Sequence, residues 1–263
     1  MPLSILAVPA FDDNYLWIVH NSRDAIVIDP GDGEVIARRL QELSLNLVAI
    51  LITHHHADHI GGVAYLRTLF PVPVYGPNDE RITTLTRQLS CSDDQQVITV
   101  AELDLHFKVL NVPGHTLSHI AYYNEEQAML FCGDTLFAGG CGRIFEGTAA
   151  QMHASLQKLA ALPEDTSVYC AHEYTLSNLQ FALAVDTDNP KLKQRYELVQ
   201  QLRREGQATV PSTIAIERET NPFLRSGETK LRHTLLERQK IDEDADDIAV
   251  LAAIREWKNH FRA

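Results

Sequence analysis

Thr53-His54-His55-His56-Ala57-Asp58-His59-Ile60-Gly61-Gly62 follows directly on the apolar run Leu47-Val48-Ala49-Ile50-Leu51-Ile52. A short apolar run bounded by polar residues reads as a buried strand. The stretch therefore predicts a dense polar cluster at a strand's C-terminal end. Four histidines and an aspartate fall within its six residues 54–59. In extended chain, residues two apart project to the same side, so His54 and His56 can converge on one point while His55 turns away. Imidazole and carboxylate donors suit zinc and neighbouring divalent metals. A polar turn that merely happens to be rich in histidine is the competing reading, and it leaves so many ligand types after a buried strand unexplained.

Outward from this stretch, 263 residues allow one large domain or two smaller ones with a proper core. The hydrophobic fraction of 45% and charged fraction of 22% are ordinary for a globular protein. A net charge of −12 argues against a general nucleic-acid binder held by phosphate contacts. It leaves an anionic substrate open, because a metal with local Arg or Lys can reverse the field at a site. The segment Leu3 to Phe11 is broken by Pro9, lacks a basic start and runs into Asp12-Asp13, so a secretory signal is not expected. No apolar segment approaches the roughly 20 residues of a membrane span. Cys91, Cys132, Cys141 and Cys170 are dispersed without C-x-x-C spacing, as reduced thiols of a cytoplasmic protein would be.

In chain order, Leu3 to Val8, Tyr15 to Val19 and Ala25 to Ile28 read as a strand meander. Asp29-Pro30-Gly31-Asp32-Gly33 reads as a turn, too weak for a phosphate loop, and Asp32 or Gly33 starts a helix with Val35, Ile36, Leu40 and Leu43 on one face. A helix is predicted over Ile60 to Phe70, a strand over Val72 to Tyr75, and nothing definite over 76–96. Val97 to Val100, Leu105 to Asn111, Ile120 to Tyr123 and Ala128 to Cys132 predict a second meander. Thr148 with Gln151 predicts a capping box for a helix through Leu162, buried along Met152, Leu156, Leu159 and Ala160. After a strand over Ser167 to Cys170, helices are predicted over Asn178 to Val185, Lys191 to Arg204, Lys230 to Arg238 and Ala245 to Phe261. Two strand-rich halves and a helical tail predict a sandwich of two sheets with outer helices, followed by a C-terminal helical domain.

Three more predicted strands end on metal-type ligands: His115 after Leu110-Asn111, Asp134 after Leu130 to Gly133, and His172 after Val168 to Ala171. One polar residue after a strand is usually a turn. Four such strand ends are a pattern.

His54-x-His56-x-Asp58-His59 with His115, Asp134 and His172 resembles the metallo-β-lactamase superfamily, in order and type at all seven ligand positions, over about residues 1–173. The resemblance implies a mixed α+β, α/β fold: a four-layer αββα sandwich over 1–173 with a C-terminal helical domain over 174–263. Phe11 to Tyr15, Gly133 to Phe137, Gly140 to Thr148, His172 to Thr175, Asn221 to Arg225 and Arg255 to Lys258 further resemble the hydroxyacylglutathione hydrolase, or glyoxalase II, family nearly end to end. That likeness implies a thioester hydrolase; the cytoplasmic setting follows from composition and cysteine usage, and a monomer is the default. The hydrolase would cleave S-D-lactoylglutathione to glutathione and D-lactate in methylglyoxal detoxification, with no nucleic-acid or membrane partner. His54, His56 and His115 would hold one metal and Asp58, His59 and His172 the second, with Asp134 bridging. The two divalent ions, zinc by preference with iron or manganese as options, would carry the attacking hydroxide, with Asp58 and Asp134 as catalytic ligands. Arg143, Phe145, Tyr174, Arg255 and Lys258 would contact glutathione. Some relatives carry Lys and Tyr where this chain has Arg143 and Phe145, so Phe145 offers only an apolar wall. By spacing alone Arg255 and Lys258 read as a solvated face of the last helix; only the resemblance moves them into a site.

Other residues stay outside the expected site. His55 and His119 read as structural histidines, and Glu173 is balanced between a structural role and support for His172. Cys132 and Cys170 read as buried thiols. His20, His106, His153, His233 and His260 read as surface residues. No serine sits in a nucleophile elbow. The competing functions are another hydrolase of the superfamily such as a lactonase, a persulfide dioxygenase, which needs only one iron, and a metal-binding protein without catalysis.

Overall fold

A computed structural model describes residues 3–90 and 96–262. These fall into two units, Met1–Asn111 with Ser118–Gly133, and Val112–Leu117 with Asp134–Ala263. Cys91 lies outside the described residues; Cys132, Cys141 and Cys170 are buried free thiols.

In the first unit, β1 (Ser4–Ala10), β2 (Asn14–His20) and β3 (Asp24–Ile28) form the expected antiparallel meander. Pro9 is accommodated because β1 is the edge strand, where a missing N–H breaks no interior ladder. After α1 (Gly33–Glu42), β3 pairs in parallel with β4 (Asn46–Leu51), β4 with β5 (Val74–Pro77), and β5 with β6 (Arg87–Leu89). Asp32 caps α1 by accepting from the Glu34 and Val35 N–H groups, as its position predicts. β6 falls in the stretch that the sequence leaves open: of its three residues only Leu89 is buried, too little for an alternation to show.

The sequence predicts one helix over Ile60 to Phe70, but the structure has two, α2 (Ala57–Ile60) and α3 (Val63–Leu69). The break is a backbone crossing. Gly62 N–H donates to the Pro30 carbonyl at 2.9 Å, and a Cβ on Gly31 would lie 1.8 Å from the Asp58 carbonyl oxygen. Close approach of two turns requires glycine here, and it places Asp58 and His59 on a helical turn instead of extended chain.

Strands β7 (Val97–Val100), β8 (Leu105–Asn111), β9 (Ile120–Asn124) and β10 (Met129–Gly133) pair antiparallel in chain order. Side chains of the first sheet alternate between two faces. Leu16, Ile18, Val27 and Ile50 join Ile36 and Leu40 of α1 and Val63 and Leu66 of α3 in one core. Trp17 faces the other way and meets Phe131 of β10 edge-on at 6.5 Å, while Tyr122 Oη of β9 donates to the Ile52 carbonyl at 2.7 Å. This unit is thus helix on sheet on sheet.

The second unit holds the hairpin β11 (Leu136–Phe137) and β12 (Gly140–Cys141), then α4 (Ala149–Ala160) and β13 (Ser167–Cys170). The Thr148–Gln151 capping box is formed, and α4 buries Met152, Leu156 and Leu159, with Ser155 in place of Ala160. Ser155 Oγ donates to the Pro113 carbonyl, which satisfies its hydroxyl inside. α5 (Thr175–Val185) and α6 (Pro190–Arg204) come next. The two-residue β14 (Ser212–Thr213) pairs with β13 and leads into α7 (Ile214–Thr220), then α8 (Thr229–Glu237) and α9 (Asp247–His260). Four of these helices coincide with predicted ones. The seven residues of α7 bury only Ile214, Glu217 and Thr220, too few to show a period. Phe181 gathers Phe223, Trp257 and Phe261 at 5.2–6.2 Å. Among the described residues no helix is long and apolar enough to cross a membrane.

Candidate metal ligands and substrate cavity

The first unit carries four of the expected ligands on the chain that leaves β4. Asp29, buried at the end of β3, grips this chain. Its Oδ1 accepts from Thr53 N–H at 2.7 Å, and its Oδ2 accepts from Thr53 Oγ1 at 2.7 Å and lies 3.0 Å from His59 Nδ1. Asp29 adopts φ 51°, the left-handed region that Asp tolerates better than most residues. A carboxylate only accepts, so His59 Nδ1 donates and its Nε2 keeps the lone pair. Thr53 Oγ1, its proton spent on Asp29, lies 3.1 Å from His54 Nδ1 and can accept there, leaving His54 Nε2 as an electron-pair donor. Asp29, His54 and His59 also bring one ligand-type atom each within 4.8 Å. Asp29 meets the protonated Nδ1 of His59 and not its free Nε2, which places Asp29 to orient this histidine.

His54 Nε2 lies 3.0 Å from His56 Nδ1. Two zinc–nitrogen bonds of about 2.0–2.1 Å at a tetrahedral angle place their nitrogens about 3.3 Å apart, so this pair is spaced to share an ion. Asp58 Oδ2 accepts from Asn14 Nδ2 at 3.0 Å and stands 3.4 Å from His59 Nε2. His55 points elsewhere, as expected: its Nδ1 is 3.6 Å from Asp79 Oδ2. The Arg81 guanidinium, the larger cause, and the Ser118 hydroxyl hold the Asp79 carboxyl far below the usual carboxylate range. His119 is fully buried and stacks on His54 at 4.6 Å. Gly133, at φ 47°, leaves room for it, since a Cβ there would lie 3.0 Å from that ring.

The second unit carries the other three. His115 Nδ1 donates to the Arg143 carbonyl at 2.7 Å, which directs Nε2 toward Asp134 Oδ2 at 3.4 Å. His172 Nε2 stands 3.4 Å from the other oxygen, Asp134 Oδ1. One carboxylate thus offers an oxygen to each of two imidazoles, the disposition of a bridging ligand. His172 is stacked on Tyr174 at 4.7 Å and set edge-on to Phe137 at 5.7 Å. His54, His59 and His115 each have a ring nitrogen aimed by an identified contact, and His56, His172, Asp58 and Asp134 each face another such donor, so the donor chemistry fits divalent cations.

His115 and Asp134 line a cavity of about 340 Å³ within the second unit, and Arg143, Phe145, Tyr174, Arg255 and Lys258 line it too. The structure therefore brings all five expected substrate contacts together. Arg255 is only 8% exposed, in contrast to the solvated face that spacing suggests. Its guanidinium donates to the Cys141 carbonyl at 2.8 Å and lies over Phe223. Lys258 Nζ donates to the Ser177 carbonyl, and burial, helped by the charge of Arg255, pulls its ammonium down to about 8. Phe145 is 60% exposed, edge-on to His115 at 5.3 Å and under the Arg143 guanidinium at 5.7 Å. Glu173 accepts from Thr209 N–H at 2.8 Å and from its hydroxyl, an anchor within this unit. His20 and His153 are half-buried, not exposed as expected: His20 ends a strand whose other residues are buried, and His153 follows the buried Met152 on α4.

Sequence reasoning passed over Asn14, Asp29 and Asp79. Asp29 had a visible signal, since it too directly follows a buried strand. Asn14 acts through Asp58, 44 residues away, and Asp79 reaches the cluster only by meeting His55 across a fold contact, which no local pattern records.

Residues 10–172 match the model of the metallo-beta-lactamase superfamily, and residues 173–261 that of the hydroxyacylglutathione hydrolase C-terminus. A hydroxyacylglutathione hydrolase of Nitrosomonas eutropha is 49% identical over 99% of this chain and all of its own length. Among solved structures, ETHE1 from Myxococcus xanthus is similar with a TM-score of 0.63 and 26% identity, over 97% of this chain and 98% of that one. TTHA1623 in a di-iron-bound form is similar with a TM-score of 0.55 and 27% identity, over 84% and 100%. The ligand series along the strand ends, the cationic cavity beside Asp134 and these full-length likenesses agree: the chain belongs to the hydroxyacylglutathione hydrolases, thioester hydrolases of the metallo-β-lactamase superfamily.

Proposed function

We propose that the chain hydrolyses S-D-lactoylglutathione, and S-2-hydroxyacylglutathiones generally, to glutathione and the 2-hydroxy acid, the second step of methylglyoxal detoxification. One observation carries the reading. Asp134, with an oxygen toward each of two imidazoles, lines the same cavity as Arg143, Arg255 and Lys258, three cations on a chain of net charge −12.

His54, His56 and His115 would hold one divalent cation, Asp58, His59 and His172 another, and Asp134 both. Such a pair supplies an ionised water near neutral pH and a Lewis acid for the thioester carbonyl. The remaining work belongs to the chain. Asp29, Thr53 and the Arg143 carbonyl hold the imidazole protons on the nitrogens that face away from the ligand positions. Asn14 orients Asp58. Arg143, Arg255 and Lys258 take the carboxylates of glutathione by charge-assisted hydrogen bonds, and Tyr174 and Phe145 wall the bound thioester. Glutathione leaves as a thiolate, so no protein acid need protonate it.

Zinc is the proposed metal, with iron or manganese as options; a structural relative solved in a di-iron-bound form supports keeping iron. We further propose a catalytic domain over 1–173, a helical domain over 174–263 that completes the glutathione site, and a cytoplasmic monomer. The test is hydrolysis of S-D-lactoylglutathione followed through its thioester absorbance, with metal content measured on the same sample and lactones run in parallel. Two metals per chain without thioester hydrolysis would overturn the reading, and faster lactone cleavage would favour a lactonase.

A further inference from the structure

The hairpin of β11 and β12 has two residues per strand, too few for independent stability. Its backbone is held instead by side chains from elsewhere in the second unit. Asn221 Nδ2 donates to the Gly140 carbonyl at 2.9 Å, with the Phe137 carbonyl a longer, shared acceptor at 3.2 Å. Asn178 Nδ2 donates to the Ala138 carbonyl at 3.2 Å, and Arg255 to that of Cys141 at 2.8 Å. The hairpin N–H of Gly139 donates to Glu217 Oε2 at 2.8 Å.

Glu217 is the hub of this arrangement. It is fully buried on α7, and the same Oε2 accepts from Asn221 Nδ2 at 2.9 Å, so one oxygen fixes both the hairpin and the side chain that straps it. Its Oε1 accepts from Arg195 and from the Ser212 hydroxyl, and Arg195 donates also to Thr220 Oγ1. A buried charge costs heavily unless paired and hydrogen-bonded; here Arg195 and Ser212 satisfy Oε1, which leaves Oε2 to hold the hairpin and its strap. The hairpin in turn places Phe137 edge-on to His172 and Tyr174. It also delivers Cys141 and, two residues on, Arg143, whose carbonyl orients His115 and whose side chain lines the cavity.

We infer that Glu217, with its partner Arg195, is a positioning residue for substrate binding: the ion pair sets the Phe137–Arg143 segment, and through it the cationic wall of the cavity. The inference rests on the proposed glutathione reading for its kinetic readout only. A displacement of about 1 Å in a positioning group can cost up to about a hundredfold, so Glu217→Gln is expected to raise KM for S-D-lactoylglutathione about tenfold, with kcat changed less than about threefold. Amide hydrogen exchange over residues 137–143 is expected to quicken about tenfold in the same variant. A lowered melting temperature with wild-type KM and wild-type exchange over 137–143 would reduce Glu217 to a purely structural residue and overturn the inference. If Glu217→Gln does not fold, the double variant Arg195→Met with Glu217→Gln removes the unpaired charge; a folded double variant with wild-type KM and exchange overturns the inference equally. Should the wild-type protein fail to hydrolyse the thioester, the functional reading falls, while the exchange experiment still decides the positioning role.

Discussion

Replacing Asp29 by asparagine exchanges one oxygen for an NH₂ and inverts the polarity of the two hydrogen bonds that Oδ2 accepts, from Thr53 Oγ1 and His59 Nδ1. The amide oxygen is expected to stay on Thr53 N–H, a donor that has no rotational freedom, so the NH₂ takes the place of Oδ2. The Thr53 hydroxyl can rotate and accept. His59 Nδ1, 3.0 Å away, can accept only as the other tautomer, which moves its proton to Nε2, the nitrogen that faces Asp58 at 3.4 Å. A proton on Nε2 blocks ligation by His59. Loss of a charge-assisted hydrogen bond costs about 1.5–3 kcal/mol. Loss of an outer partner of a metal-binding histidine lowers affinity about 10–100-fold, or about 1.4–2.7 kcal/mol. The two routes agree, so Asp29→Asn should weaken the second metal by that factor while the fold persists. Zinc titration against a competing chelator measures the affinity, and nitrogen NMR of the His59 ring reads the tautomer. Affinity within about threefold of wild type, with the His59 proton still on Nδ1, would refute the reasoning.

Three further outcomes are expected. Arg255→Ala should raise KM about tenfold or more with kcat little changed, since it removes a buried guanidinium from the cavity; steady-state kinetics checks this, and an unchanged KM would remove Arg255 from the site. Lys258 is held at about 8, below its ordinary value, so its charge disappears as pH rises through that point and KM should climb above about pH 8, a rise that Lys258→Arg should flatten. The stability sign is opposite: between about 8 and the ordinary lysine value the unfolded chain binds the extra proton, so stability should increase with pH there, as denaturation of wild type against Lys258→Met would show. Gly31→Ala should cost more than about 3 kcal/mol, because its Cβ would meet the Asp58 backbone at 1.8 Å. Gly206→Ala, at φ 70° with nothing within 4 Å, should cost only about 1–2 kcal/mol, and denaturant midpoints compare the two.

Much of the candidate site could be read locally. A buried strand announces its own end, and His54, His56, His115, Asp134 and His172 each follow such a run. The helix beginning at Thr148 is likewise written in a four-residue box. The break at Gly61-Gly62 was not legible, because it comes from a turn some thirty residues earlier crossing the same spot. Arg255 misled for a related reason. It shares a helical face with Leu251, yet a charged side chain on α9 reads as solvated until Cys141 and Phe223 are brought beside it.

The sequence by itself determined which residues could ligate a metal and which strands present them, because burial alternation and donor chemistry are properties of a few neighbouring residues. Only the tertiary structure decided which nitrogen of each imidazole is available and which side chains hold the cavity wall. Those depend on partners far away in the chain: Asp29 for His59, the Arg143 carbonyl for His115, and Glu217 for the hairpin at Gly139. A hydrogen bond is specified by where two groups meet in space, and no local spacing records that meeting.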